Sequence, residues 1–332
     1  MLRRTFLTAP ALAAAGVLSP GAGLASGTSR IPLRVSASNH LSLCPFYLSY
    51  ELGYFADAGF DVEVVKDIGT AQTLPLLAGG KVDVSFTGFG PSVVNAIVRG
   101  ARLRLVAARE TISPSCGVAS TVFLSRRAFP QGVRDMRQLK GARIGVNDQS
   151  PRTTFWLDTM LQHDGMRLSD VDVRKMPENE KVAALRAGGI DAFVATEVSL
   201  NPELQQFGLV AGPSAASLLP NSQFSFILFG RVLLDGDTAT GAHFLHAYFR
   251  GANEFLHGRT PRFLDEFATK NNLDAKLLRR GCRATFSADG TIDLDDMRRY
   301  IQWMAAHDMC LANLDAAAFV DNRFLEAAHA MK

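Results

Sequence analysis

The sequence predicts an α/β protein of two doubly wound lobes joined by a two-strand hinge. Three observations carry this. Strand-like and helix-like segments alternate from Ile31 onward. One phrase returns, with Leu77-Ala78-Gly79-Gly80-Lys81-Val82-Asp83-Val84 answered by Leu185-Arg186-Ala187-Gly188-Gly189-Ile190-Asp191-Ala192. The length of 332 residues is enough to build two cores.

Ile31–Ser38 is a strand by its β-branched and apolar content, and Phe46 to Ala58 carries apolar residues at helical spacing until Gly59 stops it. Val62–Val65 is the next strand, Thr70–Ala78 a helix, and Val82–Thr87 a strand. Pro91–Val98 is a helix with proline in its first turn, where a missing N–H is harmless, and Leu103–Ala108 is a strand. Thr121–Ser125, Arg143–Val146 and Ser225–Phe229 supply strands around the second copy. Each copy runs helix, Gly-Gly stop, then Val or Ile, Asp and a buried strand, because a helix ends most readily on a left-handed residue. Parallel sheets with helices on both faces are expected. After Arg231 the chain reads as helices that return to the first lobe. Residues 31–112 with 232–332 then form lobe one and 113–231 form lobe two, with crossings near Thr111–Ala119 and Gly230–Gly236.

Residues 1–25 have a basic start, an apolar stretch from Phe6 to Leu18 and small residues ending at Ala25, the order of an export signal. Arg3-Arg4-Thr5-Phe6-Leu7 is similar to a twin-arginine signal; an ordinary secretory signal is the alternative. No later apolar run reaches membrane-spanning length, so a soluble periplasmic protein with no membrane insertion is expected. Without Arg3 and Arg4 the net charge falls from +3 to +1 (33 basic against 32 acidic residues), too little for a nucleic-acid binder. Cys44, Cys116, Cys282 and Cys310 allow two disulfides in an oxidising compartment, with Cys282–Cys310 the first pairing to consider, or they are buried thiols.

Catalytic motifs are sparse. No G-x-S-x-G elbow, H-E-x-x-H pair or Walker loop occurs, and Gly88-Phe89-Gly90 lacks the third glycine of a dinucleotide loop. No catalytic residue, metal or cofactor is expected. What remains is a set of polar and aromatic residues at strand-to-helix turns: His40, Phe46, Thr70 and Phe89 in the first lobe, Ser115 between lobes, and Asn147, Arg152, Thr153 and Glu197 in the second. Ligands of open α/β sheets sit at such turns, where helix N-termini favour anions. Each residue also has a plain structural role open to it: Thr70 as a cap, His40 as a turn residue, Phe46 as core. Arg152 is the most informative, since a guanidinium at a helix start offers paired donors to a carboxylate or sulfonate.

Pro45 through Phe60, Leu77 through Gly88, Leu139 through Val146, Ala184 through Glu197 and Asn313 through Ala327 resemble the periplasmic substrate-binding proteins of ABC importers for nitrate, taurine, alkanesulfonates and thiamine-pyrimidine precursors. The resemblance implies the type II periplasmic-binding-protein fold and ligand contacts at 40–46, 69–71, 88–90, 147–154 and 196–197. Val198 stands where the family often has proline after that glutamate. It also implies delivery of the ligand to an ABC permease, expected here from a monomer. Arg152 and the helix starts suggest a small organic anion, sulfonate or carboxylate, and Phe46, Phe89, Phe155 and Trp156 suggest an apolar or planar body for it, aromatic in one variant. A thiamine-pyrimidine heterocycle is the alternative. A fungal pyrimidine-synthase branch shares the fold but carries a cysteine-rich iron-binding motif that this sequence lacks.

Overall fold

The computed structural model describes residues 30–66, 70–116, 119–148, 150–196, 209–283 and 285–331. The expected leader at 1–25 lies outside them. Two five-stranded sheets organise the chain. In the first, β1 (Ile31–Ser36), β2 (Phe60–Val65), β3 (Val84–Thr87), β4 (Arg104–Thr111) and β10 (Gln223–Phe229) stand in the order β2-β1-β3-β10-β4. In the second, β5 (Thr121–Leu124), β6 (Arg143–Asn147), β7 (Asp172–Met176), β8 (Ala192–Val194) and β9 (Val210–Ser214) stand in the order β7-β6-β8-β5-β9.

The helices are α1 (Cys44–Glu51), α2 (Tyr54–Asp57), α3 (Thr70–Ala78), α4 (Pro91–Val98), α5 (Arg152–His163) and α6 (Lys181–Ala187). The carboxyl-terminal third adds α7 (Arg231–Asp235), α8 (Thr238–Leu256), α9 (Arg262–Lys270), α10 (Ala275–Arg279), α11 (Leu294–Ala306) and α12 (Arg323–His329). The single helix expected over 46–58 is two, separated at Gly53. No described helix is long and apolar enough to cross a membrane.

The repeated phrase occupies equivalent places. In each copy the helix ends on glycine, with Gly80 at φ 67° and Gly188 at φ 76°, and the aspartate before the strand clamps the neighbouring strand. The Arg34 N–H donates to Asp83 Oδ2 at 2.7 Å, and the Arg143 N–H donates to Asp191 Oδ2 at 2.9 Å. Each arginine then folds its guanidinium onto the same carboxylate, at 3.4 Å and 2.7 Å.

Neither sheet is wholly parallel. β10 runs antiparallel between β3 and β4, and β5 runs antiparallel between β8 and β9. The expectation that put Ser225–Phe229 in the second lobe is therefore corrected: β10 is a central strand of the first sheet, and the return crossing lies before it rather than at 230–236. A five-residue apolar strand signals burial, and its sequence position does not say which sheet buries it. The two crossings bond to each other, the Ile112 N–H donating to Ser222 O at 2.9 Å and the Asn221 N–H to Ile112 O at 3.2 Å.

One face of the first sheet buries Phe46, Phe55, Phe60 and Phe229 against α1 and α8. A larger core runs without interruption from the other face, through α5 and α11, into the second sheet. Helix α11 is the bridge. Its Trp303 Nε1–H donates to Asp158 Oδ2 on α5 at 2.8 Å, while its first-turn Asp296 accepts the Gln223 N–H at the start of β10 at 2.8 Å. Residues 285–290 form a strap along the free edge of β4, with the Thr111 N–H donating to Thr285 O and the Ser287 N–H to Arg109 O, both at 2.7 Å.

That strap explains the cysteines. The disulfide joins Cys116 to Cys282, 166 residues apart, because the strap brings Cys282 beside the linker that leaves β4. The Cys282–Cys310 pairing is thereby corrected: Cys310 is a free thiol past the end of α11, directed at Ile301 O, and Cys44 is free and buried. A crosslink closing so long a loop restricts the unfolded chain strongly. Reduction should cost about 2–5 kcal/mol, read from urea unfolding with and without reductant.

Helices α1 and α8 approach at Gly251. A Cβ there would lie 2.7 Å from the Ser49 nitrogen and 2.8 Å from its Cα, both backbone atoms that have no room to retreat. Gly251→Ala should lower unfolding free energy by about 3 kcal/mol, the cost of overpacking a helix contact.

Candidate functional site

A cavity of about 400 Å³ lies between the lobes. Its first-lobe wall is hydroxyl-rich: Ser36, Ser85 and Thr87 stand at the carboxyl ends of β1 and β3, and Thr73 comes from α3, its Oγ1 3.3 Å from Ser36 Oγ. Its second-lobe wall is the turn from β6 into α5, with Asn147, Ser150 and Arg152, and Thr196 after β8. Both walls therefore lie where strands end and helices begin, as the wound topology requires.

Arg152 dominates the electrostatics. It is 3% exposed, and none of its three guanidinium nitrogens has a hydrogen-bond partner among the described residues. Its cation lies 3.5 Å from the centroid of the Tyr300 ring and 5.7 Å from that of Phe155. Burial lowers its pKa from the ordinary arginine value and pushes the Tyr300 hydroxyl up to about 12. Arginine nonetheless stays protonated in proteins, so the site holds a desolvated cation. The ring offsets part of the lost hydration without accepting a hydrogen bond from the guanidinium.

The turn bearing it is held by its own polar atoms. The Asn147 N–H donates to Thr153 Oγ1 at 2.8 Å, and the Ser150 N–H donates to Asn147 Oδ1 at 3.1 Å. Asn147 Nδ2–H donates to Glu178 Oε2 at 3.4 Å. Glu178 also accepts from the Thr196 N–H at 3.2 Å and from Lys181 Nζ at 2.6 Å, and Lys181 is fully buried. Burial works to raise the Glu178 carboxyl, but Lys181 and Thr196 outweigh it and hold the group below the usual carboxylate range.

Sequence-predicted residues divide accordingly. His40, Asn147 and Arg152 line the cavity, with His40 Nδ1 3.2 Å from Ser42 Oγ. Thr153 is buried behind the wall and supports Asn147. Phe46 and Phe89 do not reach the cavity: Phe46 packs on Phe55 and Phe86, and Phe89 on Phe226, Tyr300 and Phe319. Large rings beside turns find more burial in the cores than in an open cleft. Ser115 is exposed and bonds Ser113 Oγ at 2.8 Å, away from the cavity. Thr70 opens α3, but its side chain, like all of Glu197, lies outside what the structure describes.

Several lining residues were not predicted as contacts, among them Arg109, Glu110, Phe86, Arg283 and Cys44. Arg109 and Glu110, at the end of β4, form a buried pair at 3.1 Å, and Arg109 also donates to Ser225 Oγ at 2.6 Å and to Ser42 O at 3.2 Å. Their signal was available: two adjacent opposite charges closing an apolar strand. Phe86 lies under the Arg109 cation at 5.0 Å, and Arg283 enters from the strap. Cys44 lines the same wall, and burial drives its thiol far above the ordinary range, so it is protonated at neutral pH.

Glu178→Gln leaves the buried Lys181 uncompensated and should cost about 3 kcal/mol at pH 7. Because the folded carboxyl titrates below its unfolded value, its contribution is complete above about pH 4 and is lost as pH falls through the folded value. Urea midpoints between pH 5 and 3 should fall more steeply for the native protein than for the variant.

The family described as NMT1/THI5 like matches residues 40–208, and the chain belongs to it. A 4-amino-5-hydroxymethyl-2-methylpyrimidine phosphate synthase of Saccharomyces cerevisiae is 24% identical over 163 residues, 49% of this chain and 45% of that protein. The chain thus spans about half the length of the curated relatives it matches. Among solved structures, the alkanesulfonate-binding protein SsuA of Xanthomonas axonopodis pv. citri bound to MOPS superposes with a TM-score of 0.69 at 16% identity, covering 88% of this chain and 98% of that one. The periplasmic nitrate-binding protein NrtA of Synechocystis PCC 6803 gives 0.68 at 13% identity, covering 91% and 89%. The fold is therefore the two-lobed α/β fold of periplasmic binding proteins.

Proposed function

We propose that this NMT1/THI5-like chain is the solute-binding component of an ABC importer, capturing a small organic anion, sulfonate or carboxylate, in the interlobe cavity and delivering it to a membrane permease. The observation that carries the reading is Arg152, a buried guanidinium on the wall of an interlobe cavity with no hydrogen-bond partner among the described residues. A folded protein tolerates such a group poorly unless something else completes it, and an oxyanion supplies the missing acceptors in one bidentate contact. Hydroxyls and strand ends on the opposite lobe offer further donors, so closure of both lobes on the ligand would favour the bound state.

The chain works as a carrier in this reading, and its ligand leaves chemically unchanged. Of the described lining residues, Glu110 is the one carboxylate and is tied to Arg109, and the Cys44 thiol is held protonated. Among the described lining residues no thiolate faces the cavity, and the His40 imidazole lies 3.2 Å from Ser42 Oγ. The heterocycle alternative draws on the synthase relatives and on Glu197. It predicts binding of pyrimidines that survives loss of Arg152 and fails with loss of Glu197. Export to the periplasm fits the basic-apolar-small order of residues 1–25 and the Cys116–Cys282 disulfide, which an oxidising compartment preserves.

Arg152→Met is the decisive variant. Removing an unpaired buried charge while keeping much of its volume should leave the ligand-free protein at least as stable as the native one, by thermal melting. The same change should weaken binding of an organic sulfonate or carboxylate by at least about 100-fold, by calorimetry. A variant that loses stability but keeps anion binding would assign Arg152 to the core and overturn the reading.

A further inference from the structure

We propose that the ligand carries two anionic groups on an apolar body, one taken by Arg152 on the second lobe and the other by Arg283 on the first. The inference rests on the anion reading above and names its substrate class. Among the described residues, four strongly charged ones line the cavity: Arg109, Glu110, Arg152 and Arg283. Arg109 and Glu110 neutralise each other, and Arg109 spends its remaining donors on Ser42 and Ser225. Two cations are left without a carboxylate among the described residues.

Arg283 is held in place for this role. It follows Cys282, whose disulfide to Cys116 fixes the strap against the linker after β4. Its guanidinium lies 4.9 Å from the Phe255 ring centroid, and one nitrogen donates to Arg279 O at 2.9 Å, which leaves other donors unused. The walls around this end are Phe255, Leu278 and Phe286, and Phe86 lies beside Arg109. A cation from each lobe on a partly apolar cavity is the complement of an aryl or alkyl chain that carries two acidic groups.

Closure makes the second charge consequential. A monoanion would compensate one cation and leave the other in a site losing its water, where an unpaired charge is costly. A dianion compensates both. It also reaches from α5 to the strap, so its binding energy depends on the lobes being together, which is what lets a ligand select the closed state. A volume near 400 Å³ suits a single ring or short chain with two acidic groups and far exceeds a bare oxyanion.

The test compares matched pairs by titration calorimetry at constant ionic strength: benzenesulfonate against 4-sulfobenzoate, and hexanesulfonate against 6-sulfohexanoate. On the native protein the dianion of at least one pair should bind 10-fold or more tighter than its monoanion. In Arg283→Gln that ratio should collapse to within about twofold, because the dianion loses affinity while the monoanion, no longer leaving a cation uncompensated, binds at least as tightly as before; the melting temperature should hold. In Arg152→Gln both members should be lost. Equal affinities within both pairs, or a dianion preference that survives Arg283→Gln, overturns the two-ended ligand while leaving the anion reading intact. Absence of binding by every compound removes the anion reading and this inference together.

Discussion

A guanidinium buried without a hydrogen-bond partner is an unfavourable thing to build, and much of this structure serves to hold one. Arg152 opens a helix whose first turns are buried almost throughout, so the side chain cannot swing to solvent. Tyr300 covers its face at 3.5 Å, and Phe155 lies beside it. The stacking partly replaces lost hydration by attraction to the ring. It does so without occupying the N–H groups. The cation is thus stabilised enough to persist while it has no acceptors among the described residues, the feature on which the proposed function rests.

The positions of its neighbours follow from the duplicated strand-helix unit. In both lobes an aspartate ahead of the third strand of the unit clamps the first, so the ends of those strands come level and their terminal residues face one cleft. Exchange of one antiparallel strand between the two halves of the chain then ties the lobes at their backs through the paired residues Ile112 and Asn221–Ser222. Two sheets joined at one edge by two strands leave the opposite edge open. The cavity sits there because the topology leaves no other gap at the strand ends.

Much of this was legible in the sequence. The recurrence of Leu77–Asp83 as Leu185–Asp191 marked the two lobes, and glycine stops placed the helix ends close to where they fall. The helix Pro91–Val98 was read to the residue. Sheet membership was not legible for β10, since an apolar strand declares that it is buried and not by which partners. The cleft aromatics were misplaced for a related reason: Phe46 and Phe89 flank the right turns, but one residue of rotation along a helix or turn decides between cleft and core. The pairing of Cys116 with Cys282 depends on a strap that bonds to the edge of β4, a contact between segments far apart in the chain. Chain proximity favoured Cys310 and had no bearing on it. Arg152 was recoverable because its position at a helix start after a strand carries chemistry irrespective of packing.

Helix α11 joins the charge to the hinge. Tyr300, which covers Arg152, lies one turn past Asp296, and Asp296 accepts the backbone N–H of Gln223. The Gln223 side chain grips the approach to the same helix from the other side, donating to Thr291 O at 2.7 Å and accepting from the Asp293 N–H at 2.8 Å. Gln223 is the first residue of β10, immediately after the crossing residues Asn221 and Ser222. The far end of α11 is bonded to α5 through Trp303 and Asp158. One rigid helix therefore contacts the cation, the helix that bears it and the strand that leaves the hinge. A rotation of the second lobe about Ile112 and Asn221 must either carry α11 with it, straining three hydrogen bonds at Gln223, or slide α5 along α11 and change the stacking on Arg152. In either case lobe position and the environment of the unpaired guanidinium are not independent. A ligand that completes Arg152 acts on the same contacts that set the angle between the lobes.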